Sequence, residues 1–242
     1  MKEENITVIA GGSGGIGRSV VRKFLRKGDR VIVIDINKIT DENIVNDEKY
    51  SFLKADITNP DEIMVAKKKI ERKFKKIDNL ISMAGVNMKS EIGGMETITI
   101  EDIDKSIKLN LNSHIYLIKI FLSLLEKEEA VKNIVMISSI NAISNYGLPA
   151  YSGAKAGLYG FMKAVTNELG NQGIRINTIS LGTVPHSTDI IDGNEYFESK
   201  KSKLPLKEFV RPTDVADAIY SLVYRMKAIV GQNIVLDMGQ SI

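Results

Sequence analysis

The chain has 242 residues, of which 43% are hydrophobic and 26% charged, a balance that supports a buried core and excludes disorder as the main state. It has no cysteine, so disulfides, thiolate metal sites and a cysteine nucleophile are excluded. Lys+Arg 33 against Asp+Glu 30 leaves only +3, and the lysine clusters at 67–69 and 73–76 are interleaved with acids, contain no glycine and hold Phe74 as their one aromatic. They read as a solvated helix face, and nucleic acid is not an expected partner.

The opening residues MKEENITVIAGG carry acidic charge into an apolar stretch too short for a signal-peptide core or a membrane span. The expectation is a cytoplasmic protein with no membrane contact. Short β-branched runs then alternate with stretches of helical period. Strands are predicted at 6–10, 30–35, 51–55, 79–83, 133–138, 175–180 and 233–236. Between them Ile16, Val20, Val21, Phe24 and Leu25 form one apolar stripe, and Ile103, Ile107, Leu111, Ile115 and Ile118 form another, each expected to be one crossover helix. Near-continuous apolar strands joined by helices predict an α/β single-domain doubly wound Rossmann fold, with a seven-stranded mostly parallel sheet and helices on both faces. One domain is expected over 1–242. The segment 186–210 is long and irregular, and is expected to be a substrate lid.

The first strand runs into Ala10-Gly11-Gly12-Ser13-Gly14-Gly15-Ile16-Gly17, and a helix follows at once. Glycines let the backbone approach a pyrophosphate, while the helix N-terminus offers unpaired N–H groups. Strand, glycines and helix in this order predict a dinucleotide site, with Gly11, Ser13, Gly14, Gly15, Ile16 and Gly17 in contact with it. Asp35 ends the second strand, where a carboxylate accepts hydrogen bonds from ribose hydroxyls and repels a 2′-phosphate. No Lys or Arg lies within the loop and Ile36 follows Asp35, so NAD(H) is favoured and NADP(H) is the lesser alternative. Asp56, with Ile57, is placed to meet the adenine, or else to cap the helix after Pro60.

Tyr151 and Lys155 are four apart and share a helix face. The same spacing recurs at Tyr50/Lys54, Tyr159/Lys163 and Tyr196/Lys200, so location has to decide. Tyr50/Lys54 lies on a strand, where the two groups cannot touch. Tyr159/Lys163 lies about 12 Å further along the helix of Tyr151, and Tyr196/Lys200 falls in the lid. Only Tyr151 opens a crossover after a strand ending in Ser138-Ser139.

At these residues the chain resembles the short-chain dehydrogenase/reductase family. The glycine loop resembles its TGxxxGIG, Ser82-Met83-Ala84-Gly85 its NNAG, Leu109-Asn110-Leu111 the helix with its Asn, Ile137-Ser138-Ser139 the strand with its Ser, and Tyr151-Ser152-Gly153-Ala154-Lys155 its YxxxK. The resemblance implies hydride transfer between a nicotinamide coenzyme and a carbonyl or secondary alcohol. Asn110, Ser139, Tyr151 and Lys155 would be the catalytic set. Tyr151 would be the acid or base, with its phenol drawn towards phenolate by Lys155 and the oxidised coenzyme. Ser139 would bind the substrate oxygen, Lys155 the nicotinamide ribose, and Asn110 a relay water. Ala84, Gly85, Gly182, Val184, Tyr151 and Lys155 would join the coenzyme contacts.

The chain departs from the family pattern in several places. Ala10 replaces the family's usual Thr, and Ser82-Met83 its Asn pair. Leu181-Gly182 stands for Pro-Gly, and His186 where a Thr commonly meets the nicotinamide amide, with Thr183, Ser187 or Thr188 as substitutes. Ser139 is chosen over Ser138, the alternative, because a loop loses a residue more easily than a strand slips. His114 is expected to be a packed or interface residue, His186 lies at the lid hinge, and no metal site is expected. The family also implies a homotetramer or homodimer acting on a small-molecule substrate. Two further readings are 3-oxoacyl-[acyl-carrier-protein] reduction and a non-catalytic dinucleotide sensor; a third, a methyltransferase, would have no use for the Asn, Ser, Tyr and Lys set.

Overall fold

The computed structural model describes residues 4–125, 130–185 and 195–242. Seven strands, β1 (Ile6–Ala10), β2 (Arg30–Asp35), β3 (Tyr50–Lys54), β4 (Asn79–Ser82), β5 (Lys132–Ser139), β6 (Ile174–Leu181) and β7 (Asn233–Leu236), form one sheet in the order β3-β2-β1-β4-β5-β6-β7. Every pairing is parallel, so the expected "mostly parallel" sheet is fully parallel among the described residues. The predicted strand ends move by a residue: β3 starts at Tyr50 because Tyr50 is already paired with Val31. The chain reverses between β1 and β4, and this switch point opens the crevice where such sheets take ligands.

The helices are α1 (Gly15–Arg26), α2 (Glu42–Val45), α3 (Pro60–Phe74), α4 (Ile100–Ile107), α5 (Ser113–Leu125), α6 (Pro149–Asn171), α7 (Glu195–Ser202) and α8 (Pro212–Tyr224). Local chemistry sets their ends. Asn59 caps α3 by accepting the Asp61 N–H, with Pro60 in the first turn, and Thr99 caps α4 by accepting the Asp102 N–H at 3.1 Å. One apolar layer packs α3, α5 and α6 on the sheet through Ile63, Ile70, Leu117, Phe121 and Leu158. The other packs α1 and α8 through Val20, Phe24, Val215 and Ile219. No described helix is long and apolar enough to cross a membrane.

The stripe from Ile103 to Ile118 is not one uniform helix. A π turn at Lys108–Asn112 separates α4 from α5, and the extra residue rotates the register. Ile103, Ile107, Leu111 and Ile115 are consequently only half-buried, while Ser106, Asn110, Ser113 and His114 face inward.

At the N-terminal edge of the sheet a row of polar residues lies directly across four strands, in the register Thr7, Asn79, Asn133, Arg175. Asn79 donates to Thr7 and to the Tyr224 hydroxyl, each at 2.9 Å. Asn133 donates to Asn79 at 2.7 Å, and Arg175 donates to Asn133 at 2.5 Å. Thr7 and Tyr224 both donate to Asp29 at 2.5 Å. A buried polar group is tolerated only when paired, and one left unpaired costs about 1–3 kcal/mol. Asn79→Ala orphans partners on both sides, so the variant is expected to lose about 2–3 kcal/mol of stability. Urea denaturation measures this, and dinucleotide affinity should not change because the row lies at the opposite edge from the crevice.

Candidate active site

The turn after β1 is held open by contacts that admit only glycine. Gly11 has φ +83°, and a Cβ there would lie 2.5 Å from the Ala84 nitrogen; a Cβ on Gly17 would lie 2.5 Å from the Gly11 carbonyl oxygen. Gly14 is different, because a Cβ there would meet nothing nearer than 3.9 Å, so the open space above it is available to a ligand. Gly14 is also the N-cap of α1, which has no side-chain cap and no acid in its first turn, leaving N–H groups for an anion.

A cleft of about 370 Å³ lies over this turn. Gly11, Ser13, Gly14, Gly15, Ile16, Gly17, Asp35, Asp56, Ile57, Ala84 and Gly85 of the expected set all line it. Asn37, Val86, Leu109 and Ile137 also line it; none of the four was expected to touch the coenzyme, since Asn37 and Val86 follow the ends of β2 and β4 outside any motif, and Leu109 and Ile137 entered only as neighbours of Asn110 and Ser139. The residues fit a dinucleotide: an uncapped helix end for phosphate and a carboxylate at the ribose end. Asp35 accepts from the Ser13 N–H at 3.0 Å and the Asn37 N–H at 3.1 Å, so it also fastens the glycine turn to β2. Arg18 reaches back to donate to the Ser13 carbonyl at 2.9 Å, bringing a cation to a loop whose own residues contain none. Asp56 does not cap α3. Asn59 takes that place, and Asp56 accepts the Thr58 N–H at 2.8 Å instead.

A second cavity of about 510 Å³ is lined by Ser139, Tyr151, Gly182 and Thr183, with Asn87, Glu91 and Lys200. Ser139 faces this cavity from the end of β5, whereas the Ser138 hydroxyl points away and donates to the Lys155 carbonyl at 3.0 Å. Among the described residues Val184 lines neither cavity and packs against the α1/α8 layer. His186, Ser187 and Thr188, together with the first part of the expected lid, lie outside the described residues. Of its remainder, Lys200 on α7 borders the cavity.

Lys155 is buried and donates to the Ile137 carbonyl at 2.9 Å. Its ammonium stands 5.8 Å from the centre of the Tyr151 ring. Burial lowers Lys155 to about 7. The chain's own groups act on the phenol in both directions. Burial raises Tyr151, a hydrogen bond with Ser139 lowers it in part, and the charge of Glu91 raises it again. The chain's own groups therefore keep Tyr151 protonated at neutral pH, a proton donor rather than a phenolate.

Asn110 sits in the π turn, fully buried. Its side chain clamps Val86 from both sides, accepting the Val86 N–H at 3.1 Å and donating to its carbonyl at 2.8 Å. Gly85 permits the convergence, since a Cβ there would lie 2.7 Å from the Asn110 oxygen and 3.0 Å from the Lys155 nitrogen. His114 is a packed residue. Nε2 can only donate to the Ala84 carbonyl, at 3.0 Å, so Nδ1 accepts from Ser82 at 2.7 Å. Burial, assisted by the charge of Lys155, holds His114 well below its usual value and neutral. Neither Tyr50/Lys54 nor Tyr159/Lys163 reaches either cavity: the Tyr50 hydroxyl is buried without a partner, and Lys163 donates to the Gly231 carbonyl at 2.6 Å.

Residues 10–241 match the family described as "Enoyl-(Acyl carrier protein) reductase". "Short-chain dehydrogenase reductase 3a" of Arabidopsis thaliana is 30% identical over 98% of this chain and 95% of its own length. "3-oxoacyl-[acyl-carrier-protein] reductase FabG" of Buchnera aphidicola is 30% identical over 88% of this chain and 87% of its own. Among solved structures, the "Pseudomonas aeruginosa RhlG/NADP active-site complex" superposes with a TM-score of 0.90 at 23% identity, covering 98% of this chain and 96% of the other. At that identity the likeness shows the fold alone. An oxidoreductase of the short-chain dehydrogenase/reductase family from Burkholderia thailandensis superposes at 0.87 with 27% identity, covering 99% and 93%.

Because Lys155 sits near 7 in the folded chain against an ordinary 10.5, unfolding takes up a proton between those values, and stability rises with pH in that window. Lys155→Met removes the buried charge. Its melting temperature at pH 7 is expected to equal or exceed that of the parent, and the parent's rise in melting temperature above pH 7 should flatten. Calorimetry across a pH series measures both, and a less stable variant that kept the slope would contradict the burial argument.

Proposed function

This chain belongs to the short-chain dehydrogenase/reductase family of NAD(P)-binding oxidoreductases, and from that premise we propose that it transfers hydride between NAD(H) and a carbonyl or secondary alcohol of a small molecule. The observation that carries the reading is the pairing of two adjoining cavities: one is lined by an anion-ready helix end and Asp35, the other by Ser139 and Tyr151, with Lys155 buried beneath. The coenzyme, when bound, supplies or takes up the hydride.

The chain's own groups handle the oxygen and its proton. The Ser139 hydroxyl hydrogen-bonds the substrate oxygen, and Tyr151 donates its phenol proton to that oxygen as it gains charge. A phenol kept protonated by burial suits reduction of a carbonyl directly. In the opposite direction it needs cationic help, in part from Lys155, which is charged on the acid side of about 7, and more from the positive charge the oxidised coenzyme would bring. Asn110 positions rather than reacts, because its side chain is consumed in holding Val86 over the coenzyme cleft.

For the substrate we favour a sugar, polyol or other small secondary alcohol. A second reading, reduction of a 3-oxoacyl group on a carrier, draws support from the Buchnera aphidicola relative. A panel of hydroxyketones, sugars and an acetoacetyl thioester, run with each coenzyme, separates the two. A homodimer or homotetramer is proposed, with the half-buried stripe of Ile103, Ile107, Leu111 and Ile115 supplying apolar surface for it.

Tyr151→Phe is expected to lower kcat by about 10²–10⁴-fold, the usual loss of a general acid, with NADH affinity within a few fold of the parent. Undiminished turnover would remove Tyr151 from the chemistry. For the coenzyme, the parent is expected to bind NADH more tightly than NADPH in a fluorescence titration. Asp35→Ala should narrow that ratio by about tenfold or more, since about 1.4 kcal/mol of charge repulsion corresponds to one factor of ten and the variant leaves Arg18 beside the loop. A parent that prefers NADPH would overturn the assignment.

A further inference from the structure

The helix that carries Tyr151 begins without help from its own sequence. Leu148, at the N-cap position, has φ 59° and no side chain to accept an N–H, and Pro149 has no N–H at all. The missing acceptor comes from another element. Glu91, in the 3₁₀ segment Lys89–Glu96, is fully buried, and its Oε2 accepts the Tyr151 N–H at 2.9 Å. Among the described residues its Oε1 has no hydrogen-bond partner.

The segment carrying Glu91 is itself fixed. Ser90 donates to Asp102 at 2.5 Å and Thr97 donates to the Ser90 carbonyl at 2.6 Å, tying it to α4. Asn87, Glu91, Ile92 and Gly94 from the same stretch line the cavity that Tyr151 lines. A buried carboxylate with one idle oxygen is an expensive way to satisfy a single N–H, since a Ser or Asp at the N-cap would do the same locally. Its place against the positive end of α6, one residue's width from the phenol-bearing Cα, gives that expense a use.

We infer that Glu91 is a positioning residue for Tyr151, capping the helix from outside it, fixing the Tyr151 backbone against the wall of the substrate cavity, and placing a negative charge beside the phenol. The inference rests on the proposed role of Tyr151. Among the described residues, the charged groups near the phenol are Lys155 on its own helix and Glu91 on the 3₁₀ segment, with Lys200 of α7 lining the same cavity; β5 contributes only the Ser139 hydroxyl. Glu91 thus opposes Lys155, and its charge acts in the same direction as burial to keep the proton on Tyr151.

Two variants separate the parts. Glu91→Gln keeps an oxygen for the Tyr151 N–H and removes the charge, whereas Glu91→Ala removes both. Ultraviolet phenolate titration, taken as the difference between each protein and its Tyr151→Phe counterpart, is expected to move to lower pH in Glu91→Gln. An unmoved midpoint overturns the electrostatic role. Glu91→Ala should lower kcat by about tenfold or more with NADH affinity within about twofold, and Glu91→Gln should restore kcat to within about threefold at the plateau of its own pH profile, tenfold being the effect of 1.36 kcal/mol on a barrier. A folded Glu91→Ala with undiminished kcat overturns the positioning role. Should Glu91→Ala fail to fold, the Glu91→Gln titration and pH profile decide alone. A parent that turns over no member of the carbonyl panel defeats the proposed activity, and the titration still decides on Glu91.

Discussion

The buried ammonium of Lys155 is the interaction around which the C-terminal edge of the sheet is organised. An isolated charge in an apolar core is strongly disfavoured, so the surroundings must offer acceptors at short range. The Ile137 carbonyl does so at 2.9 Å, and Gly85 leaves the room that any Cβ would close. The ends of β4 and β5, the π turn and α6 therefore meet at one point. The same convergence turns Asn110 onto Val86 and sets His114 under Ala84. His114 remains neutral in consequence, because a second cation there would face both burial and Lys155.

The acid–base character of the site follows from a balance that no single residue fixes. Burial acts on both Tyr151 and Lys155 and favours the neutral form of each, raising the phenol and lowering the amine. A hydrogen bond with Ser139 pulls the phenol one way and the carboxylate of Glu91 pulls it the other. Without a further positive charge the outcome is a protonated phenol, so a family expectation phrased as phenolate formation depends on the oxidised coenzyme more than on Lys155. In the reducing direction no such help is needed.

Much of the fold was legible in the sequence because parallel strands buried on both faces read as continuous apolar runs, and the glycine turn carries its steric reason with it. The candidate site residues were chosen by order and place, and the structure sets Ser139 and Tyr151 on one cavity while Ser138 turns to the Lys155 carbonyl. The features that escaped share one physical cause: they depend on long-range placement of side chains whose local sequence is unremarkable. Glu91 lies 60 residues from the N–H it accepts, Arg18 folds back onto a loop it follows in sequence, and the π turn changes burial without changing the apolar spacing. Asp56 was ambiguous for the opposite reason: two local partners were possible, and Asn59 holds the helix end more directly.

The two edges of the sheet divide the polar burden differently. At the N-terminal edge the row from Thr7 to Arg175 closes into mutual hydrogen bonds, and only the Arg175 Nε is left without a partner. Such a row contributes rigidity because every member constrains its neighbours. At the C-terminal edge the buried polar groups are held in less comfortable states: a lysine lowered to about 7 and a glutamate with an idle oxygen. Groups in that condition weaken a fold and are tolerated where they serve a site. A sheet that is strictly parallel places all its strand C-termini on one side, so this discomfort can be gathered there while the satisfied row at the other end keeps the strands in register.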